Sequence, residues 1–141
     1  MQVQIIVSEN PSNEDIKGIY KELLAFNTAI CGAPENKPFM ALLHDTDTSE
    51  TLGGIYCVHF YGWLYITIFF IPDALRNKGF GTKLLEKAET YARNQGSYGI
   101  WVDTFSFQAP GFYEKAGYEK FGELANFPPG HSRIFYRKML A

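Results

Sequence analysis

Val3, Ile5 and Val7 recur at every second position at the head of the chain, with Gln2, Gln4 and Ser8 among their neighbours, a period of two that predicts a first strand over Met1–Ser8. The period then changes. Pro11-Ser12-Asn13-Glu14-Asp15 reads as a turn and a helix start, and Ile16, Ile19, Tyr20, Leu23, Leu24 and Phe26 recur at helical spacing. Cys31–Pro38 is a predicted loop and Phe39–His44 a short strand. The polar run Asp45–Glu50 predicts a hairpin turn. Leu52–Phe60 and Trp63–Ile71 follow as two long apolar strands joined around Gly62.

A helix is predicted from about Gly79 to Gln95. Phe80, Leu84, Leu85, Ala88, Tyr91 and Ala92 form its apolar stripe. Lys83, Glu86, Lys87, Glu89 and Arg93 fall on the remaining positions, with Glu89 and Arg93 spaced for an i,i+4 pair. Gly96 is the stop. Tyr98–Phe105 reads as a strand, and Pro110–Ala116 as a short helix closed by Gly117. Tyr118–Glu123 and Ser132–Met139 read as strands separated by the Phe127-Pro128-Pro129-Gly130 turn. The predicted order, βαβββαβαββ, makes an α/β domain with one mixed sheet and helices packed on it. No linker interrupts it, so a single domain over residues 1–141 is expected.

Composition narrows the function. With 46% hydrophobic and 16% aromatic residues, the chain can bury a core and is not of a disordered class. A net charge of −2 offers no basic excess for nucleic acid, so an anionic ligand would need a local site. The longest apolar run, Tyr61–Pro72, is too short to span a bilayer, and Met1–Asn10 lacks the features of a signal peptide. Cys31 and Cys57 sit in no disulfide framework. A cytoplasmic protein without membrane attachment is expected.

The candidate chemistry begins at the strand-to-helix junction Leu75-Arg76-Asn77-Lys78-Gly79-Phe80-Gly81-Thr82. First-turn amides of a helix lack intrahelical partners and carry the positive end of the dipole. Glycines there let a phosphate approach the backbone, and Arg76 and Lys78 add charge. A nucleotide P-loop is excluded, since Gly81 is followed by Thr82 and only then Lys83; a dinucleotide fingerprint is excluded by Leu84 where a third glycine is required. The alternative for glycine spacing alone is an ordinary turn with solvated charges.

The junction resembles the Arg/Gln-x-x-Gly-x-Gly/Ala loop of the GNAT N-acetyltransferases, here Arg76-x-x-Gly79-x-Gly81. A second block, Ser106 to Tyr118, is similar to that family's Asn-x-x-Ala-x-x-x-Tyr-Glu-Lys-x-Gly-Phe/Tyr element. The resemblance covers most of the chain and implies the GNAT fold, with a mostly antiparallel sheet of about six to seven strands. It also implies acetyl-CoA as donor and an amine as acceptor. By resemblance the loop amides of Arg76, Asn77, Lys78, Gly79, Phe80, Gly81 and Thr82 would hold the coenzyme A pyrophosphate. Phe69, Phe70 and Ile71 would pair with its pantetheine arm, and Ala109 and Phe112 would lie against it. Ser106 stands where the family often has Asn and is a candidate for the same contact. Tyr113 matches the frequent general acid; a phenol stays protonated at neutral pH and can donate to a leaving thiolate. The competing reading of Tyr113 is a packing residue between helix and sheet.

Other residues carry less. His44, His59 and His131 are scattered and no metal site is expected. Asp103, Tyr65 and Thr67 could line an acceptor pocket, with Phe26, Asn27, His59 and His131 as further acceptor-side candidates. Trp63–Ile71 carries no acidic residue, so no strand-borne Glu base is available there. Two rivals to the enzyme remain, a non-catalytic acyl-CoA-binding module of the same fold and a nucleotide-binding regulatory domain. A homodimer is common in the family; the acceptor's identity is left open.

Overall fold

The computed structural model describes residues 1–140. The chain divides into two compact units, Met1–Pro34 and Glu35–Ala141. In the first, helix α1 spans Asn13–Cys31. Ser12 caps it by accepting the Asp15 N–H at 3.0 Å, Glu14 and Asp15 complement the positive end, and Gly32, at φ 80°, ends it. Met1–Ser8 is not a strand, contrary to the alternation. Val3, Ile5 and Val7 are exposed and the segment joins no sheet. Alternation says which face a strand would bury; a strand also needs a ladder partner.

The second unit holds one six-stranded sheet in the order β1-β2-β3-β4-β6-β5. The strands are β1 Lys37–His44, β2 Thr51–Phe60, β3 Trp63–Phe70, β4 Gly99–Phe105, β5 Glu119–Ala125 and β6 Ser132–Met139. Every pairing is antiparallel except β3 with β4. Asp45 closes the first hairpin, its carboxylate accepting the Asp47 N–H at 2.8 Å while its own N–H bonds the Glu50 carbonyl.

Helix α2, Phe80–Asn94, connects the parallel pair. Its stripe Leu84, Leu85, Ala88 and Ala92 is buried with Ile55, Cys57, Leu64, Ile66, Ile100, Val102 and Ile134. Tyr91 stacks on Phe39 of β1 at 4.6 Å. Helix α3, Pro110–Lys115, adds Tyr113 to the same core.

Glu89 departs from its expected surface role. It is 7% exposed, and its carboxylate accepts bonds from Lys138 Nζ at 3.2 and 3.3 Å and from the Tyr118 hydroxyl at 3.2 Å. Arg93 is left at 4.0 Å. Helical spacing identifies the neighbour along the helix, but β6 brings a closer cation from across the fold. Removing one member of a buried pair strands the other's charge. Lys138→Met is therefore expected to lose about 3 kcal/mol of stability in denaturant unfolding, and Glu89→Gln in the same background to restore part of it.

Candidate functional site

β3 and β4 are hydrogen-bonded neighbours only from Trp63↔Gly99 to Ile66↔Val102. Beyond that point β3 continues to Phe70 on β2, and β4 continues to Phe105 on β6. The sheet is thus split towards the ends of its parallel strands. The split begins where the β2–β3 register shifts: Cys57 faces Ile66 and Tyr56 faces Ile68, which leaves Thr67 as an extra residue. Such a bulge bends its strand and increases the local twist. Thr67, Ile68 and Phe70 are exposed along the freed stretch.

The glycine-rich junction lies directly after it. A 3₁₀ turn, Asp73–Leu75, is followed by Asn77 at φ 61° and Gly79 at φ 84°. Gly79 is the N-cap of α2 and supplies no side-chain cap, so the first-turn amides keep their outward direction. Arg76 is tied inward. Its Nε donates to the Ile71 carbonyl at 2.8 Å, it pairs with Asp73, and its guanidinium lies 5.8 Å from the Phe70 ring centre. It shapes the loop as well as charging it. A side chain at Gly81 would meet the Phe112 ring at 3.2 Å, so the missing Cβ lets α3 close against the start of α2.

Between α2 and α3 lies a cavity of about 310 Å³ bounded by Thr82, Glu86, Phe112, Lys115 and Lys138 among others. Tyr113 follows Phe112 in α3 and belongs to the core. It is 5% exposed and ringed by Phe69, Phe112, Tyr118 and Tyr136 at 5.3 to 6.4 Å. Burial, and then the charge of Asp103, raises its phenol well above the usual tyrosine range. Its neighbours' hydroxyls are committed, Tyr118 to Glu89 at 3.2 Å and Tyr136 to Glu114 at 2.8 Å. Burial, with Glu114 beside it, pushes Tyr136 up to about 12.

Ser106, by contrast, closes the β4–β6 end. Its Oγ accepts the Ser132 N–H at 3.0 Å and its own N–H bonds the Ser132 carbonyl at 2.8 Å. Ala109 is the N-cap of α3. Gln108 locks the turn between them, its Oε1 accepting from the Phe105 N–H at 2.8 Å and from Thr104 Oγ1 at 3.2 Å.

On the opposite face of the sheet, where the split opens, Asp103 is held from two sides. Arg133 donates to its Oδ1 through Nε and a terminal nitrogen at 3.0 and 2.8 Å, and the Tyr65 hydroxyl donates to Oδ2 at 2.8 Å. Tyr65 also stacks on Trp101 at 4.1 Å. His131, in the β5–β6 turn, belongs to this end of the sheet, whereas His59 pairs with Leu64 towards the other. Burial, then Lys37, lowers the His59 imidazole below its ordinary value. Arg133 was not among the residues singled out from sequence. Its position opposite Phe105 depends on the β4–β6 register, which no local pattern carries.

The GNAT acetyltransferase family model matches residues 4–118. Acetyltransferase Atu2258 of Agrobacterium fabrum (strain C58) is 32% identical over 136 residues, 96% of this chain and 98% of that protein. A crystal structure of an acetyltransferase from Bacillus cereus ATCC 14579 superposes with a TM-score of 0.84 at 28% identity, covering 96% of this chain and 98% of that one. An aminoglycoside 6'-N-acetyltransferase crystallised with coenzyme A shares the fold at a TM-score of 0.62 and 16% identity, covering 91% of this chain and 81% of that one. The chain belongs to the GNAT acetyltransferase family, and its sheet is the mixed, mostly antiparallel one expected for that fold. Among the described residues no helix is long and apolar enough to cross a membrane.

Cys57 is fully buried, and burial pushes its thiol up to about 12, while Cys31 is exposed. At pH 8 the thiolate fraction of Cys57 is on the order of 10⁻⁴. A disulfide reagent is expected to modify one thiol of the native protein at pH 8 and the second only on unfolding. Mass mapping of the label to Cys31 checks this.

Proposed function

We propose that this chain moves an acetyl group from acetyl-CoA to an amine of a small molecule or peptide, by direct attack in a ternary complex. The observation that carries the reading is the split. It leaves one edge of β3 without a strand partner in the stretch that leads to an uncapped helix N-terminus, and the buried Tyr113 ring packs against Phe69 of that stretch. In this reading the amides from Arg76 to Thr82 hold the pyrophosphate, with Gly79 and Gly81 admitting it to the backbone. The backbone at Phe69, Phe70 and Ile71, which follows the last β3–β4 pair, pairs with the pantetheine arm as an added strand would. The cavity along Phe112 and Lys115 gives room beside the phosphate site. Ser106 and Ala109 border the arm from the β4 side.

The amine nitrogen attacks the thioester carbon, the carbon–oxygen bond gives its electrons to oxygen, and the C–S bond then breaks. Backbone N–H groups near Phe70 and Ile71 stabilise the oxyanion. Tyr113 donates its hydroxyl hydrogen to the departing sulfur. Its raised pKa keeps that hydrogen in place at every working pH, and its hydroxyl is not committed to another residue as those of Tyr118 and Tyr136 are. The nitrogen loses its proton to water. The rival, an acyl-CoA-binding module without turnover, predicts ligand binding and no thiol release with any amine.

Acetyl-CoA is expected to raise the melting temperature more than ATP or NAD at equal concentration, since a ligand selective for the native state stabilises it. Gly81→Val should remove that shift, because the added side chain faces Phe112 and crowds the phosphate approach. Arg76→Ala should only weaken it. A full shift in folded Gly81→Val would exclude this loop as the phosphate site.

Tyr113→Phe keeps the ring and removes the donor. Turnover is expected to fall by roughly 10²-fold, with stability within about 1 kcal/mol of the parent. Steady-state thiol release beside thermal unfolding measures both. Near-normal turnover in a stable variant would return Tyr113 to a packing role.

A further inference from the structure

At the mouth of the split, on the Asp103 side, aromatic rings gather around one cation. The Arg133 guanidinium that grips Asp103 lies 5.1 Å from the ring centre of Phe127, 5.6 Å from Phe135 and 6.0 Å from Phe105. Phe105 and Phe107 are stacked at 5.3 Å with planes 6° apart, Phe127 lies 5.8 Å from Phe105, and His131 meets Phe107 edge-on at 4.9 Å. Phe107 is 57% exposed and Phe127 40%. These rings come from the end of β4, the loop after it and the β5–β6 turn, so they line one end of the sheet. They also continue without a break, through Arg133, to the carboxylate beside the split.

We infer that Phe105, Phe107 and Phe127, with His131, form the acceptor platform, and that it takes an amine carried on a flat aromatic or heteroaromatic body. The inference rests on the acetyl-transfer reading above. Phe107, stacked on Phe105 so that their inner faces cover one another and still 57% exposed, favours a planar partner over a saturated one of equal size, because stacking uses the ring quadrupole as well as the area. The charge at the site argues in the same direction. Asp103 is already paired with Arg133, so no spare carboxylate there attracts a polycation. An amine stacked on Phe107 would have Asp103 Oδ2, which accepts only the Tyr65 hydroxyl, as an acceptor for one N–H. Asp103 also lies one residue past the last β3–β4 pair, Ile66 with Val102, so the carboxylate at the end of the platform stands where the split opens.

Three amines separate the possibilities: 2-phenylethylamine, 2-cyclohexylethylamine of the same length and charge, and spermidine. Each is titrated into the full chain with coenzyme A present and absent, with ligand NMR as the binding readout, and acetyl-CoA thermal shift is recorded on the same samples. Phenylethylamine is expected to bind about 5- to 10-fold tighter than the cyclohexyl amine. Phe107→Leu, a change at an exposed ring, should erase that difference and leave the acetyl-CoA shift as in the parent. Equal affinity for the ring and its saturated analogue would overturn the inference. So would tighter spermidine binding, or an undiminished aryl preference in Phe107→Leu. Loss of the acetyl-CoA shift in the parent protein would count against the acetyl-transfer reading, while the aryl preference is still read directly from the titration.

Discussion

The features of the site depend on one extra residue in a strand. Thr67 stands in β3 without a counterpart in β2, and the strand turns away from β4 within the same step. Had pairing continued to Phe70, β4 would cover the edge that now faces outward from Thr67 to Phe70. Asp103 would lie in the middle of a sheet face instead of at the start of a cleft. β2 follows β3 and β6 follows β4, so each half keeps its ladder on the outer side and only the inner edges are freed. The divergence therefore leaves few backbone groups without partners, and those are exposed where another molecule can reach them.

The two faces at the cleft have different electrostatic character. On the core side, burial dominates. Cys57, Tyr113 and Tyr118 all have ionisation disfavoured chiefly by desolvation, and the charge present, Glu89, is neutralised by Lys138 and bonded by Tyr118. That side suits a neutral donor. On the far side, Asp103 and Arg133 are held as ions among aromatic rings, with Tyr65 completing the carboxylate's partners. A buried phenol whose ionisation is disfavoured and a carboxylate paired with a guanidinium thus belong to one region of the fold.

Most of this fold was legible along the chain because its elements are locally determined. The stripe of α2, the hairpin at Asp45–Glu50 and the glycine stop at Gly117 each need only nearby residues. The junction from Arg76 to Gly81 stands out in the sequence by its glycines and charges at a strand-to-helix turn, whereas the Tyr113 element stands out only through its resemblance to the family's motif. Met1–Ser8 misled because alternation is necessary for a half-buried strand without being sufficient. Glu89 and Arg133 were misread or passed over for a related reason. Each takes its partner from a strand or helix far along the chain, Lys138 in one case and Asp103 in the other. The Thr67 bulge has no sequence mark at all; it is a property of how two strands count against each other.

The glycine-rich junction and the phenol are also joined mechanically, through Phe112. That ring sits in the space a Gly81 side chain would need, and it contacts Phe69 and Tyr113 edge-on at 5.7 and 5.3 Å. Cores packed at crystal-like density transmit displacement instead of absorbing it. A group that opens the gap between Gly81 and Phe112 would therefore move the ring against which Tyr113 is set. On the proposed reading Gly81 meets two demands, backbone access for an anion and the seating of α3. Alanine would press on the second first, since its Cβ would stand 3.2 Å from the Phe112 ring and the ring would have to give way by a few tenths of an ångström. Gly79 differs: nothing crowds its missing side chain, and its left-handed backbone is what selects glycine there.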